Sequence, residues 1–162
     1  MDDAQFKELT QLLKSSLNLI PFDDQWKYDI SDKRNEVIPA RKTRLFLSAE
    51  GKGWLIAAHI NANDENAELT VKLYSPQSPI PYSFAISPLD MYAAGYDSNA
   101  IWAAGTWVSV YSVPLSTYAV TFWHPSFFGY PYNNKVEVYV ENPTTGEITV
   151  SVKVIRLVLE GH

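Results

Sequence analysis

Three histidines carry the chain's imidazoles, and none sits in a pattern that organises a reaction: His59 lies inside an apolar run, His124 follows a strand pattern, and His162 is the last residue. No Gly-x-Ser-x-Gly elbow, His-Glu-x-x-His pair, Walker loop or Gly-x-Gly-x-x-Gly turn occurs, so nucleophilic, zinc-hydrolytic and nucleotide chemistries lack the scaffolds that would position them. The absence of cysteine excludes disulfides, thiolate metal sites, iron–sulfur clusters and a cysteine nucleophile. Asn61, Asn63, Asp64 and Glu65 gather the hard oxygen donors that calcium requires, but their spacing is not that of an EF-hand, and the same residue types build ordinary turns. The expectation is a protein that is not an enzyme and uses no cofactor and no metal.

Aromatic surface is what the chain offers instead. Residues 80–134 hold 14 of its 22 aromatic side chains and only two charges, Asp90 and Asp97. A half-solvated sheet places charge on its outer face, so this segment supplies either strands buried on both sides or a contact surface, since interface cores are poor in charge and rich in Tyr, Trp and Phe. Within it, Trp123, Phe127, Phe128, Tyr130 and Tyr132 stand in a stretch whose Pro, Gly and Asn content reads as a loop. These five are candidates for contact with another chain or for stacking on sugar rings, with packing inside their own domain as the alternative.

The elements that must position these residues follow from periodicity. Phe6, Leu9, Leu13 and Leu17 recur at spacings of three and four, which predicts an amphipathic helix over residues 2–19, ended by Pro21. A helix this short is marginal alone, so residues 1–20 read as an arm whose stripe docks on the body or on a neighbouring chain. Residues 21–42 read as an extended connector with one short strand at 26–30, and residues 43–162 as the body. Trp54 to Ile60 fits a central strand, and Leu69, Val71 and Leu73 alternate as in a half-buried one. Strands are also expected at 82–86, 106–113 and 117–124, with 88–104 unassigned. Val136, Val138 and Val140, then Ile148 to Val154, form a hairpin through Asn142-Pro143-Thr144-Thr145-Gly146. Past Val154 the apolar phase moves to Ile155, Leu157 and Leu159, which predicts a bulge near 154–156. The fold class is mainly β: an antiparallel β-sandwich of jelly-roll type with an N-terminal α-helix.

A net charge of −5 argues against general nucleic-acid binding. Lys33, Arg34, Arg41, Lys42 and Arg44 cluster locally, but Asp29, Asp32 and Glu36 are interleaved with them and are expected to pair with them. The acidic opening Met1-Asp2-Asp3 is unlike a secretory signal, and no apolar run is long enough to span a membrane, so a soluble protein is expected, in a virion or in the cytoplasm.

A helical arm from Phe6 to Leu17, a charged connector, and strands such as 135–141 and 147–159 together resemble the jelly-roll or sandwich structural proteins of bacterial and archaeal viruses. That resemblance implies a capsid, tail or fibre component that forms homo-oligomers or joins other structural subunits. The competing expectation is a carbohydrate-binding or adhesin-like sandwich module with glycan as its partner.

Overall fold

Val136, Val138 and Val140 are fully buried while Lys135, Tyr139 and Glu141 between and beside them reach outward, and this alternation sets the plan of the protein. The computed structural model describes residues 26–95, 106–123 and 129–159. The predicted helix over 2–19, with Phe6, Leu9, Leu13 and Leu17, lies outside the described residues. The strands are β1 (Trp26–Ile38), β2 (Lys42–Glu50), β3 (Gly53–Ala62), β4 (Glu68–Ser75), β5 (Ser78–Ile86), β6 (Thr106–Ser112), β7 (Thr117–Trp123), β8 (Tyr130–Tyr132), β9 (Lys135–Asn142) and β10 (Ile148–Leu159). One short helix, α1 (Pro88–Ala93), joins them. No helix among the described residues is long and apolar enough to cross a membrane.

Two antiparallel sheets pack face to face as a β-sandwich. The first runs β1-β10-β3-β7-β6, with β8 also paired to β3, and the second runs β2-β9-β4-β5. Leu55, Ile60, Val120, Phe122, Val152 and Val154 of the first sheet meet Leu69, Val71, Val136, Val138 and Val140 of the second in one apolar core. The pairs β1·β10, β2·β9, β3·β7 and β4·β5 are nested in sequence, and successive pairs fall in alternate sheets.

The second corner of the plan is the turn after β9. Asn142 is fully buried; its Nδ2 donates to the carbonyls of Ile38, Pro39 and Gly146 at 3.0, 3.1 and 2.7 Å, while its Oδ1 accepts from the Thr144 backbone N–H and hydroxyl. One amide thereby fixes the 142–146 turn and ties it to the end of β1.

The hairpin expected from the valines of 136–140 and 148–154 does not form: β9 pairs with β2 and β4 in the second sheet and β10 with β1 and β3 in the first, so the 142–146 turn carries the chain from one sheet to the other. Three further features differ from the sequence expectation. Residues 26–38, expected to hold only a short strand within a connector, form one 13-residue edge strand along β10. Its charged outer residues hide a strand whose ladder is interrupted by an irregularity at Arg34–Asn35, where Asn35 takes a positive φ of 54°. Residues 88–93 form α1, capped by Ser87, whose hydroxyl oxygen accepts from the Asp90 N–H, with Pro88 in the first turn.

The third difference matters most. The expected bulge is present, since Ile155 pairs with Ala57 and Arg156 with Leu55, but the extra residue is Ile56 of β3. β10 itself pairs with β1 without a shift here, so it keeps alternating, and Ile155, Leu157 and Leu159 turn to the outer face instead of returning to the core.

Candidate interaction surfaces

The outer face of the second sheet is charged and internally paired. Glu137 of β9, nearly inaccessible, accepts hydrogen bonds from the hydroxyls of Tyr74 at 2.6 Å and Tyr139 at 2.8 Å and forms an ion pair with Lys135. Burial alone would push its carboxyl up, but the three donors together outweigh that and hold it down at about 2. Bonded to this carboxylate, the Tyr74 hydroxyl is pushed up to about 12. Lys72 lies over the Tyr139 ring at 5.0 Å from its centroid. This network ties β4 to β9 across the outer face of the second sheet.

The first sheet's outer face is divided. Asp32, Lys153, His59 and Thr121 lie opposite one another on β1, β10, β3 and β7, forming a polar row across four strands. The Thr121 hydroxyl joins the His59 Nδ1 and the Ser109 hydroxyl, each at 2.8 Å, so a relay of hydroxyls orients this imidazole. Burial pushes the His59 pKa down and the nearby Lys153 adds to the effect, which keeps the ring neutral. A shallow hollow of about 230 Å³ lies over this row, lined by Asp32, Arg34, His59, Asn61, Ser151 and Lys153. It offers hydrogen bonds to a polar group.

The other half of the face is apolar. Tyr28 and Ile30 of β1 stand opposite Leu157 and Ile155 of β10, and Leu157 stands opposite Trp54 of β3. Tyr28 and Ile30 remain 70% and 56% exposed. At its edge a groove of about 440 Å³ runs between Trp26, Trp54, Pro131 and Leu159, with Lys52 and Asn133 at hand. Gly53 is required beneath it, because a side chain there would strike the Tyr132 ring and the Leu157 carbonyl.

A third surface is the flank where both sheets end in charge-poor strands. The segment singled out by its composition supplies β6, β7, β8 and nearly all of β5, and the sheet orders bring β5 and β6 to the same side of the sandwich as terminal strands. Tyr118 to Phe122 of β7 are buried without interruption, so that part of the segment is interior. On β5 and in the β6–β7 turn, by contrast, Ile80 is 76% and Leu115 75% exposed, and Tyr82 and Val113 are also largely accessible. Beside them Tyr92 of α1 stacks on Tyr111 with ring centroids 3.9 Å apart, and the Tyr111 hydroxyl donates to Glu65.

Of the five loop aromatics named from sequence, Phe127 and Phe128 lie outside the described residues. Tyr130 packs on Phe122 and Phe84, with centroids 4.8 and 5.5 Å apart, and Tyr132 is buried in the core, where its hydroxyl accepts from Arg156 at 3.1 Å. Trp123 is half-buried on the outer face opposite Ala57. The structure thus separates Trp123 from Tyr130 and Tyr132, which face inward. Gly129 adopts φ 74° where a Cβ would collide with the Leu55 carbonyl, so it brings the chain back against β3.

The loop carboxylates are engaged locally. Asp64 accepts from the Asn66 backbone N–H at 2.9 Å and Asn63 Oδ1 from the Thr149 N–H at 2.8 Å, the bonding of a turn. In the basic segment Arg34 pairs with Asp32 and Arg44 with Glu36, as its interleaved charges predict, whereas Asp29 pairs with Arg156 of β10. The Glu137 network and the apolar half-face were missed from sequence; the shifted phase of Ile155, Leu157 and Leu159 was the signal for the latter. No family model matches the chain, and no curated protein matches it significantly.

Proposed function

We propose that this chain is a non-enzymatic structural protein that assembles with further copies of itself, as a capsid, tail or fibre subunit of a virus. The observation that carries the reading is the charge-poor flank, where two terminal strands and the β6–β7 turn present Ile80, Tyr82, Val113 and Leu115 to solvent. Exposed apolar groups concentrated on open sheet edges are what subunit contacts use and what a solitary domain blunts with charge. The four nested pairs wound alternately into two sheets support the jelly-roll reading, an architecture that serves capsid domains. Docking through such a flank is head-to-tail or two-fold, and the geometry of closure then decides between a ring and an open array.

Light scattering after size exclusion tests the reading. The native chain is expected to run as a multimer at micromolar concentration, and Tyr82→Lys with Leu115→Lys to run as a monomer with unchanged far-ultraviolet circular dichroism. A native chain that stays monomeric across the concentration range overturns it.

The groove between Trp26 and Trp54, with Lys52 and Asn133 beside it, favours a second reading as a carbohydrate-binding module, in which a sugar ring stacks on an indole. Glycan binding by a monomeric chain, abolished in Trp54→Ala, would select this reading over the first.

A further inference from the structure

We propose that the hollow over β1, β10 and β3 binds the carboxylate group of a small organic acid, held between the Lys153 ammonium and the Nε2–H of His59 with the Asn61 amide alongside. Its lining comes from strands paired in register. Lys153 stands opposite both Asp32 of β1 and His59 of β3, and Ser151 stands opposite Asn61, so these residues form two adjacent polar rows on one face. Residues directly opposite one another have Cβ atoms about 5 Å apart, which lets the Lys153 and His59 side chains bracket a single group.

Bonding within the face engages some of its polar groups and leaves others open. Arg34 donates through Nε and a terminal nitrogen to one oxygen of Asp32, at 3.1 and 2.8 Å, and the Ser151 hydroxyl accepts from the Asn35 N–H at 3.1 Å. Thr121 occupies the His59 Nδ1 from the far side, on β7. Among the described residues nothing bonds the His59 Nε2, the Asn61 amide or the Lys153 ammonium. The outer face of the second sheet is the contrast, since there Lys135, Tyr74 and Tyr139 all close on Glu137.

Charge and proton placement select the ligand. Arg34 and Lys153 against Asp32, with a neutral imidazole, leave the hollow one positive charge in excess, which a monoanion balances and a phosphate dianion overshoots. When Ser109 donates to Thr121 and Thr121 to Nδ1, the ring proton sits on Nε2 and the hollow meets a donor. An oxyanion selects this tautomer. Burial of the ring, with Lys153 beside it, opposes a second proton there, so the imidazole contributes a neutral donor and the lysine the charge. At about 230 Å³ the hollow is smaller than the roughly 300–1,000 Å³ of a pocket that encloses a whole drug-sized molecule, so it suits a compact headgroup. None of its residues belongs to the charge-poor flank, and the site stands whether or not copies associate.

Titration with acetate tests the site. The His59 ring is followed by NMR in the full-length chain at neutral pH and constant ionic strength, its signals assigned by their loss in His59→Asn. Acetate is expected to shift the ring saturably with a Kd in the millimolar range, acetamide, which has the shape without the charge, to leave it unmoved, and inorganic phosphate to bind more weakly than acetate. Lys153→Gln, at an exposed position, is expected to weaken acetate binding at least about tenfold while the spectrum of the body stays dispersed, because a charge-assisted bond is lost. Lys42→Gln, exposed on β2 of the second sheet, should leave it unchanged. A shift that rises linearly with acetate, or one that is the same in Lys153→Gln, overturns the proposal. Phosphate binding tighter than acetate overturns the choice of a carboxylate.

Discussion

Leu157 of β10 stands opposite Trp54 of β3 on the outside of the sandwich, yet it is only 3% exposed, as buried as residues between the sheets. Leu157→Ala is therefore expected to cost about 2–5 kcal/mol, the range of a core leucine. Leu115→Ala, 75% exposed in the β6–β7 turn, is expected to change stability by less than about 0.5 kcal/mol. Urea unfolding of the two variants gives the comparison, and equal effects would contradict it.

Asn142 satisfies three carbonyls and two donors from a fully buried position. Asn142→Ala is expected to destabilise by about 2–4 kcal/mol, because it strands several buried groups at about 1–3 kcal/mol each with partial relaxation. Asn142→Asp should be worse at neutral pH, since it aims a carboxylate at three carbonyl oxygens, and should recover as the pH is lowered. Thermal denaturation of both variants at pH 7 and pH 4 checks the order.

Glu137 makes stability depend on acid. Its carboxyl is held at about 2 against an ordinary 4.5, so its contribution is fully present above 4.5 and is lost as the pH falls through about 2. In Glu137→Gln the stability should change much less over that interval, and urea midpoints measured from pH 6 to pH 2 should show the native and variant curves converging.

His59 acts in a different window. Burial, with Lys153 nearby, keeps the imidazole below its ordinary 6.5, so the unfolded chain takes up a proton first as the pH falls. Stability is unaffected above about 6.5 and declines below it until the folded imidazole also protonates. Titration of the ring by NMR should place its pKa under 6.5, and His59→Asn should flatten the stability profile just below pH 6.5.

Period-two patterns were legible wherever one face of a strand is buried: β9 and β10 are both strands, as their alternating valines announce, and the apolar run at Trp54–Ile60 lies in a central strand. Alternation does not say which strands pair, however, and β9 and β10 fall in different sheets instead of forming the expected hairpin. β1 was harder to see in full, because an edge strand with Tyr28, Ile30 and Val37 exposed and charges between them has no alternation for burial to impose. The shift of phase at Ile155 was visible, but not its direction. A bulge in β10 and an apolar outer face leave the same mark in sequence, and only the pairing of Ala57 with Ile155 and Leu55 with Arg156 distinguishes them. Tyr74, Glu137 and Tyr139 come from two strands, so their convergence depended on register.

The nested pairing governs how the chain comes off the ribosome. β10 lies between β1 and β3 in the middle of the first sheet, although it is the final strand, so β1 and β3 are separated by a strand-wide gap until residues 148–159 have emerged. Among the described strands, β4 with β5 and β6 with β7 are adjacent in sequence and can pair before β10 emerges. Synthesis at about 5–20 residues per second thus leaves most of the molecule waiting on its last segment, with apolar edges open for several seconds. Such long-range closure makes folding slow. A stop codon that removes β10 deletes the keystone of the first sheet, and the shortened chain has no partner for β1.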